Sequence, residues 1–338
     1  MTELLWRAYA KVNLCLSVGA PEPEGSPRAG WHAIATWMQC IDLHDEVRIS
    51  TRAEGTPSSV TVRWAEDALR STPIDWPIEK DLAYRALKAL EVHVGRPLPV
   101  AVDVVKRVPV GGGLGGGSAD AAAVLLAVPR VLGFSVDPAD TLRLAMSLGS
   151  DCGFFADADA AEQTPARAAL ITGFGDQVHR VEGVASELLL IVPAYGCPTQ
   201  PVYRMFDEVL KEQLRDEMID RARKGLIGGK ERQTSPRESL VEARWQKAAE
   251  VGRVDGDKLF NDLAIPAFRI EPRLGQLVTA LARATRETPV VTGSGSCVFF
   301  PTTAGKIDKL HERAAKLLET AAGEDFAAGA RVVRTRLV

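Results

Sequence analysis

The spacing of apolar residues predicts several strands in the first hundred residues. In AKVNLCLSVG (10–19) every second residue is aliphatic, which predicts a half-buried strand with one polar face. A Pro- and Gly-rich stretch at 20–30 predicts a loop. Further strands are predicted at 33–43, 45–51, 58–64 and 99–110, and later at 187–195, 289–301 and 330–338.

Helical spacing of apolar residues predicts the other elements, at 81–95, 137–149, 272–285 and 306–322. Asp137 is a predicted N-cap, while Gly95 and Gly149 are predicted to end the first two helices. Strands and helices alternate irregularly, which favours an α+β fold over a doubly wound parallel sheet.

The length of 338 residues suffices for two domains with a cleft between them, here predicted at 1–180 and 181–338. Residues 207–257 are highly charged and contain a Gly-Gly and a Ser-Pro pair. This segment is predicted to be a charged insertion, a solvent-facing helix with a mobile interruption.

Composition narrows the class of protein. The net charge of −3 gives no general affinity for nucleic acid or anionic membranes, and no apolar run reaches the length of a membrane span. The N-terminus lacks the pattern of a secretory leader. Five scattered cysteines without a CxxC pair predict buried thiols in a reducing compartment. We therefore expect a cytoplasmic globular protein. We also expect a monomer or homodimer that acts on a small molecule.

Six glycines occupy seven consecutive positions in VPVGGGLGGGSADAAAVLLA (108–127), directly before a helix-forming run. Successive glycines let backbone N–H groups converge, and a helix N-terminus adds further donors and a positive dipole end. Both features predict a phosphate site. Ser118 is placed either to cap the helix or to put its hydroxyl on a phosphate-bound metal.

Two other glycine motifs are candidates for this loop. A Walker A loop is excluded, because no Lys follows Gly116. The dinucleotide pattern GxGxxG is matched by Gly111, Gly113 and Gly116, with Asp137 about twenty residues further on. That pattern keeps open a nicotinamide-dependent oxidoreductase, although so many glycines match it by accident and Asp137 has the context of a helix cap.

The loop PVGGGLGGGSADAAA resembles the ATP-binding motif of the GHMP kinase superfamily. Other stretches resemble, in the same order, the branch of that superfamily that phosphorylates a cytidyl-diphosphate polyol for isoprenoid synthesis. They are AKVNLCLSVG, GWHAIATWMQCIDLHDEV, DLAYRA, LGSDCGFF, PAYGCPTQPVY, NDL and TGSGSCVFF. The resemblance implies a two-domain α+β GHMP kinase fold, with an N-terminal ATP-binding domain and a C-terminal substrate domain. It places the active site in the interdomain cleft.

The resemblance also implies the roles of individual residues. Asp151 would be the general base and Lys11 its partner, since a nearby ammonium keeps a carboxylate ionised. ATP with Mg²⁺ would lie along the loop formed by Pro109, Val110, Gly111, Gly112, Gly113, Leu114, Gly115, Gly116, Gly117, Ser118 and Ala119. Ser118 would contact the metal. The cytidyl substrate would be bound by Asn13, Trp31, His32 and Tyr203, with the two aromatic rings facing the base.

The sequence departs from the family pattern at two places near these residues. Cys152-Gly153 stands where Val-Pro is usual, and Asp81 stands where Asn is common. Two further alternatives stay open: a GHMP kinase for a homoserine- or mevalonate-type alcohol, and a non-catalytic nucleotide-binding relative.

Overall fold

The computed structural model describes residues 2–223 and 235–338. Its strands are β1 (Glu3–Pro21), β2 (His32–Thr51), β3 (Ser59–Trp64), β4 (Val100–Lys106), β5 (Ala169–Thr172), β6 (Gln177–Arg180), β7 (Glu187–Val192), β8 (Phe260–Asn261), β9 (Val290–Val291), β10 (Val298–Thr302) and β11 (Arg331–Arg336). Its helices are α1 (Leu82–Val94), α2 (Gly116–Leu132), α3 (Pro138–Leu148), α4 (Cys152–Phe155), α5 (Thr199–Arg223), α6 (Glu238–Val251), α7 (Ala264–Ile270), α8 (Pro272–Thr285) and α9 (Ala304–Thr320).

The strands form two sheets, and the combination of these sheets with the helices confirms the predicted α+β class. The larger sheet has the order β3-β4-β2-β1-β8, with β5 paired to β2 and β6 paired to β5. The smaller sheet has the order β11-β7-β10-β9 and is antiparallel throughout. Strand β8 comes from the second half of the chain but pairs with β1 in the larger sheet.

The expectation that β1 is half-buried is wrong. Both faces of its centre are covered, so that Lys11, Asn13 and Ser17 are as buried as the aliphatic residues between them. The pairing of β1 with β2 is irregular on either side of Lys11 and Asn13. Irregularities of this kind re-aim side chains and are frequent beside active sites. The polar face of β1 thus serves a buried site instead of solvent.

Helix α2 packs against the larger sheet through alanines, which allow close approach of helix and strands. Ala119, Ala121, Ala122, Ala123 and Ala127 are all buried in one cluster with residues of β1, β2 and β4. This packing holds the N-terminus of α2 close to the middle of β1. The end of the glycine loop is therefore positioned by the core.

Several predicted boundaries match the structure. Asp137 caps α3 by accepting a hydrogen bond from Ala139 N at 2.8 Å, and Gly95 and Gly149 end α1 and α3. Residues 33–51, predicted as two strands, form the single strand β2 because pairing with β1 continues through His44. The elements β5, β6, β8, α4 and α7 were not predicted.

The charged segment differs from its prediction. Helix α5 begins at Thr199, well before residue 207, and the Gly-Gly pair on which the interruption was predicted (228–229) lies outside the described residues. Helix α6 is not simply solvent-facing, because Val241 and Ala248 are buried in a cluster with Val12 and Trp37. In the part of the chain that the structure describes, no helix is both long enough and apolar enough to cross a membrane.

Candidate active site

A cavity of about 1060 Å³ lies where β1, the N-terminus of α2 and the first turns of α5 converge. Residues from both halves of the chain line it. Of the predicted site residues, the cavity brings together Lys11, Asn13, Trp31, His32, Pro109, Val110, Gly111, Gly112, Gly113, Leu114, Gly115, Gly116, Gly117, Ser118, Asp151 and Tyr203.

Ala119 is the exception among these residues. Its side chain is 3% exposed in the core under α2, and its N–H donates to Gly115 O at 2.9 Å. Neither group is free to bind a phosphate in the cavity in this structure, so a nucleotide contact of Ala119 stays a prediction. The alternative role of Ser118 as a helix cap is wrong, because Gly115 occupies the N-cap position of α2.

The glycine loop runs from β4 into the first turn of α2 with bare backbone against its neighbours. A Cβ on Gly112 would lie 2.8 Å from Cys297 Sγ, and one on Gly116 would lie 2.8 Å from Val108 Cγ1. The first N–H groups of α2 have no acceptor within the helix. Glycines therefore let the loop pack closely on its neighbours, and its bare backbone leads into a helix N-terminus, which is the form of an anion site.

A second glycine turn, TGSGS (292–296), packs directly on this loop. Thr292 Oγ1 accepts from Asn13 N at 3.0 Å and donates to Gly113 O at 3.2 Å. Cys297 N donates to Gly112 O at 3.1 Å. Asn261, from the NDL stretch, holds the turn from behind by donating to Val291 O and Gly293 O, each at 2.7 Å.

Lys11 and Asp151 meet in the cavity. Lys11 Nζ lies 3.3 Å from Asp151 Oδ2 and donates to Asn13 Oδ1 at 2.5 Å and to Gly113 O at 3.0 Å. The lysine side chain is 2% exposed, whereas that of Asp151 is 31% exposed. One buried ammonium therefore joins the strand, the glycine loop and a carboxylate that a substrate can reach. Asp151 is aimed there by the short helix α4, which it precedes.

Beneath the loop lies a buried ion cluster that sequence reasoning missed. Lys106 Nζ bonds to Asp45 Oδ2 and, at 2.5 Å, to Asp120 Oδ2. Asp45 also accepts from Val108 N at 2.8 Å, which ties the start of the glycine loop to β2. Burial raises the pKa of Asp120 well above its usual range, against the opposing effect of Lys106. The cluster fixes the direction in which the loop leaves β4.

Arg70 is a second buried cation that the sequence pattern did not reveal. It is 8% exposed and donates to the carbonyls of Pro193, Tyr195 and Val110 and to Ser296 Oγ. Burial lowers the pKa of its guanidinium. No carboxylate in residues 2–223 or 235–338 pairs with Arg70. Its positive charge is therefore not neutralised by an acidic side chain, and it lies behind the glycine loop. An isolated Arg in a loop without periodicity carries no sequence signal for such a role.

The aromatic residues lie at the α5 end of the cavity. His32 and Tyr203 have ring centroids 5.2 Å apart at 47°. Burial raises the pKa of Tyr203. Trp31 is 59% exposed, and no ring contact in the described residues joins it to Tyr203. The stacking of a base between Trp31 and Tyr203 therefore stays a prediction.

The sequence of the chain is similar to those of known proteins. The family of GHMP kinases N terminal domains matches residues 81–161, which contain the glycine loop and Asp151. A protein of Nocardioides sp. named 4-diphosphocytidyl-2-C-methyl-D-erythritol kinase is 31% identical over 313 residues, covering 92% of each chain. The chain belongs to the 4-diphosphocytidyl-2-C-methyl-D-erythritol kinase family. Its relative of the same name in Mycolicibacterium gilvum is 30% identical over 88% of this chain and 82% of that one.

The fold of the chain is also similar to that of solved structures. A crystal structure of 4-(cytidine 5'-diphospho)-2C-methyl-D-erythritol kinase matches with a TM-score of 0.63 and 26% identity over 99% of both chains. A homoserine kinase from Cytophaga hutchinsonii matches with a TM-score of 0.61 and 16% identity over 100% of this chain and 95% of that one, which shows the shared fold alone. The GHMP kinase fold is confirmed.

Both departures from the family pattern have a local explanation in this 4-diphosphocytidyl-2-C-methyl-D-erythritol kinase family member. Asp81 caps α1 through Ala83 N at 2.9 Å and accepts from Trp76 Nε1 at 3.2 Å, so an acceptor-only side chain suffices there. Gly153 lies against Met146, whose Sδ would be 2.5 Å from a Cβ at that position. Burial raises the pKa of the Cys152 thiol to about 12, so this cysteine is a packing residue.

Proposed function

We propose that this chain transfers the γ-phosphoryl group of ATP to the 2-hydroxyl of 4-diphosphocytidyl-2-C-methyl-D-erythritol, a step of non-mevalonate isoprenoid precursor synthesis. One observation carries the proposal. A single cavity holds a glycine-lined helix N-terminus, the Lys11–Asp151 pair and a group of aromatic side chains. The names of the relatives supply the acceptor.

Asp151 is proposed as the group that accepts the proton of the attacking hydroxyl. Its carboxylate is reachable from the cavity and lies 3.3 Å from the Lys11 ammonium group. A positioned general base contributes about 10²–10⁴-fold to a reaction rate. Lys11 also places positive charge beside the reacting oxygens, and stabilising charge is the main task in phosphoryl transfer.

The glycine loop is proposed to hold the triphosphate of ATP, because it lines the cavity with bare backbone at the N-terminus of α2. Mg²⁺, when bound to the triphosphate, neutralises part of its charge. In the described ranges no group of three or more His, Cys, Asp or Glu side chains is arranged to hold a metal ion. We propose that phosphate oxygens supply most ligands and that the Ser118 hydroxyl adds one.

The cytidyl part of the substrate is proposed to lie at the α5 end of the cavity, against Asn13, Trp31, His32 and Tyr203. We also propose a domain boundary near residue 180, which the two separate sheets support although β8 joins the first. The five buried free cysteines support a cytoplasmic location. A monomer or homodimer stays part of the same proposal.

The test is ADP release with ATP and Mg²⁺ and a panel of acceptors: the cytidyl compound, mevalonate, homoserine and galactose. Turnover with the cytidyl compound alone is expected. Asp151→Asn should lower kcat by about 10²–10⁴-fold and leave ATP binding by calorimetry unchanged. Asp308→Asn is the control, because Asp308 lies on α9 in an exposed pair with Arg334. Turnover of another alcohol, or parallel loss of ATP binding in Asp151→Asn, would contradict the proposal.

A further inference from the structure

Asp207 lies on the third turn of α5 and lines the same cavity as His32 and Tyr203. Its Oδ1 faces His32 Nε2 at 3.5 Å. Oδ1 is buried and no hydrogen-bond donor among the described residues satisfies it. The side chain as a whole is 23% exposed, so the accessible part of the carboxyl group is on its Oδ2 side. Neither the charge pattern of the helix nor the glycine motifs in the sequence identify Asp207 as a site residue.

The partners of His32 restrict where its protons lie. Nδ1 is 3.0 Å from Gly19 O, and a carbonyl oxygen can only accept, so Nδ1 carries a proton. The other nitrogen, Nε2, faces Asp207 Oδ1 at 3.5 Å without forming a hydrogen bond to it.

This contact involves Oδ1 alone, and in the carboxylate form of Asp207 the other oxygen, Oδ2, is a charged hydrogen-bond acceptor. The lysine one turn further on, Lys211, forms its hydrogen bond with Glu208 at 3.0 Å and acts on Asp207 only through space. Within residues 2–223 and 235–338 no hydrogen bond reaches Oδ2. The cavity thus presents a fixed acceptor beside the aromatic residues.

We propose that Asp207 is a specificity-determining residue, whose Oδ2 accepts a hydrogen bond from the exocyclic amine of the substrate's cytosine. This inference rests on the proposed function. Cytosine carries a donor at N4, and carboxylates accept from it. Uracil carries an oxygen at the equivalent position, which would meet Oδ2 as a second acceptor. A site built around one such hydrogen bond rejects the analogue that lacks the donor.

The experiment compares kcat/KM for the cytidyl substrate and for its uridyl counterpart, which differs only in the base. We expect the wild-type chain to prefer the cytidyl compound. In Asp207→Asn the side-chain amide can turn its NH₂ group toward O4 of uracil, so the preference should fall about 10- to 100-fold. Asp207→Ala should raise KM for the cytidyl compound with a smaller change in kcat. Glu208→Gln, the exposed neighbour on α5, should keep the wild-type preference.

The outcomes separate the two proposals. If the wild-type chain does not phosphorylate the cytidyl compound, the proposed function fails. If it does, but Asp207→Asn lowers the rates for both compounds equally, Asp207 binds a group that they share and the inference is overturned. An unchanged preference in both Asp207 variants, with melting temperatures equal to wild type, overturns it too.

Discussion

Gly113→Ala tests whether contact between the two glycine loops shapes the nucleotide site. Gly113 has φ +76, and a Cβ there would overlap Thr292 O far inside the 3.0 Å below which real Cβ contacts essentially never occur. The loops would have to separate by about an ångström, and a displacement of that size near reacting groups can lower the rate about 10²-fold. The hydrogen bond from Lys11 Nζ to Gly113 O at 3.0 Å would be strained as well.

Gly133→Ala is the matched control, because Gly133 has φ +72 at the end of α2 and nothing lies within 4 Å of its added Cβ. Both variants carry the cost of a left-handed Ala, about 1–2 kcal/mol. Only Gly113→Ala should also lower kcat/KM for ATP, by about 100-fold or 2.7 kcal/mol.

The assays are urea unfolding for stability and coupled ADP release at varied ATP concentration. Equal losses of stability and equal ATP kinetics in the two variants would refute the reasoning, since the Thr292 contact would then have no consequence. Wild-type kinetics in Gly113→Ala would refute it as well.

Three further predictions concern the buried charges. Lys106→Met removes the cation between two buried carboxylates and should lower the free energy of unfolding by about 3–5 kcal/mol in urea titration; an unchanged midpoint would contradict this. Arg70→Met leaves the acceptors behind the glycine loop without a donor, so KM for ATP should rise about tenfold with a smaller change in kcat; a loss confined to kcat would count against it. Burial raises the pKa of Asp157, but hydrogen bonds from Arg167 outweigh that effect and lower it. The charged form of Asp157 therefore stabilises the fold above its unfolded pKa of about 3.9, and this stability is lost as pH falls through the folded value. Asp157→Asn should be less stable than wild type at pH 7, with the difference narrowing below about pH 4; parallel stability curves would argue against the linkage.

The sequence allowed correct predictions where the deciding interactions are local. The N-cap at Asp137 and the glycine ends of α1 and α3 follow from side chains and backbone angles within one turn. The glycine loop before α2 was predicted for the same reason. Elements without local periodicity were missed, such as the two-residue strand β8 and the single turn of α4, because only pairing with β1 and packing on α2 hold them in place.

By itself, the sequence determined the class of fold, the family and the chemistry of the glycine loop, because these depend on periodicity and on an ordered set of motifs. Only the tertiary structure decided which charges meet. Lys11 and Asp151 are 140 positions apart in the printed sequence, and their 3.3 Å separation exists because β1 and α4 both pack on α2. The burial of Lys106 and Arg70, and the pairing of Asp207 with His32, arise in the same way. Contacts between distant segments depend on how the core closes, and no local pattern encodes that.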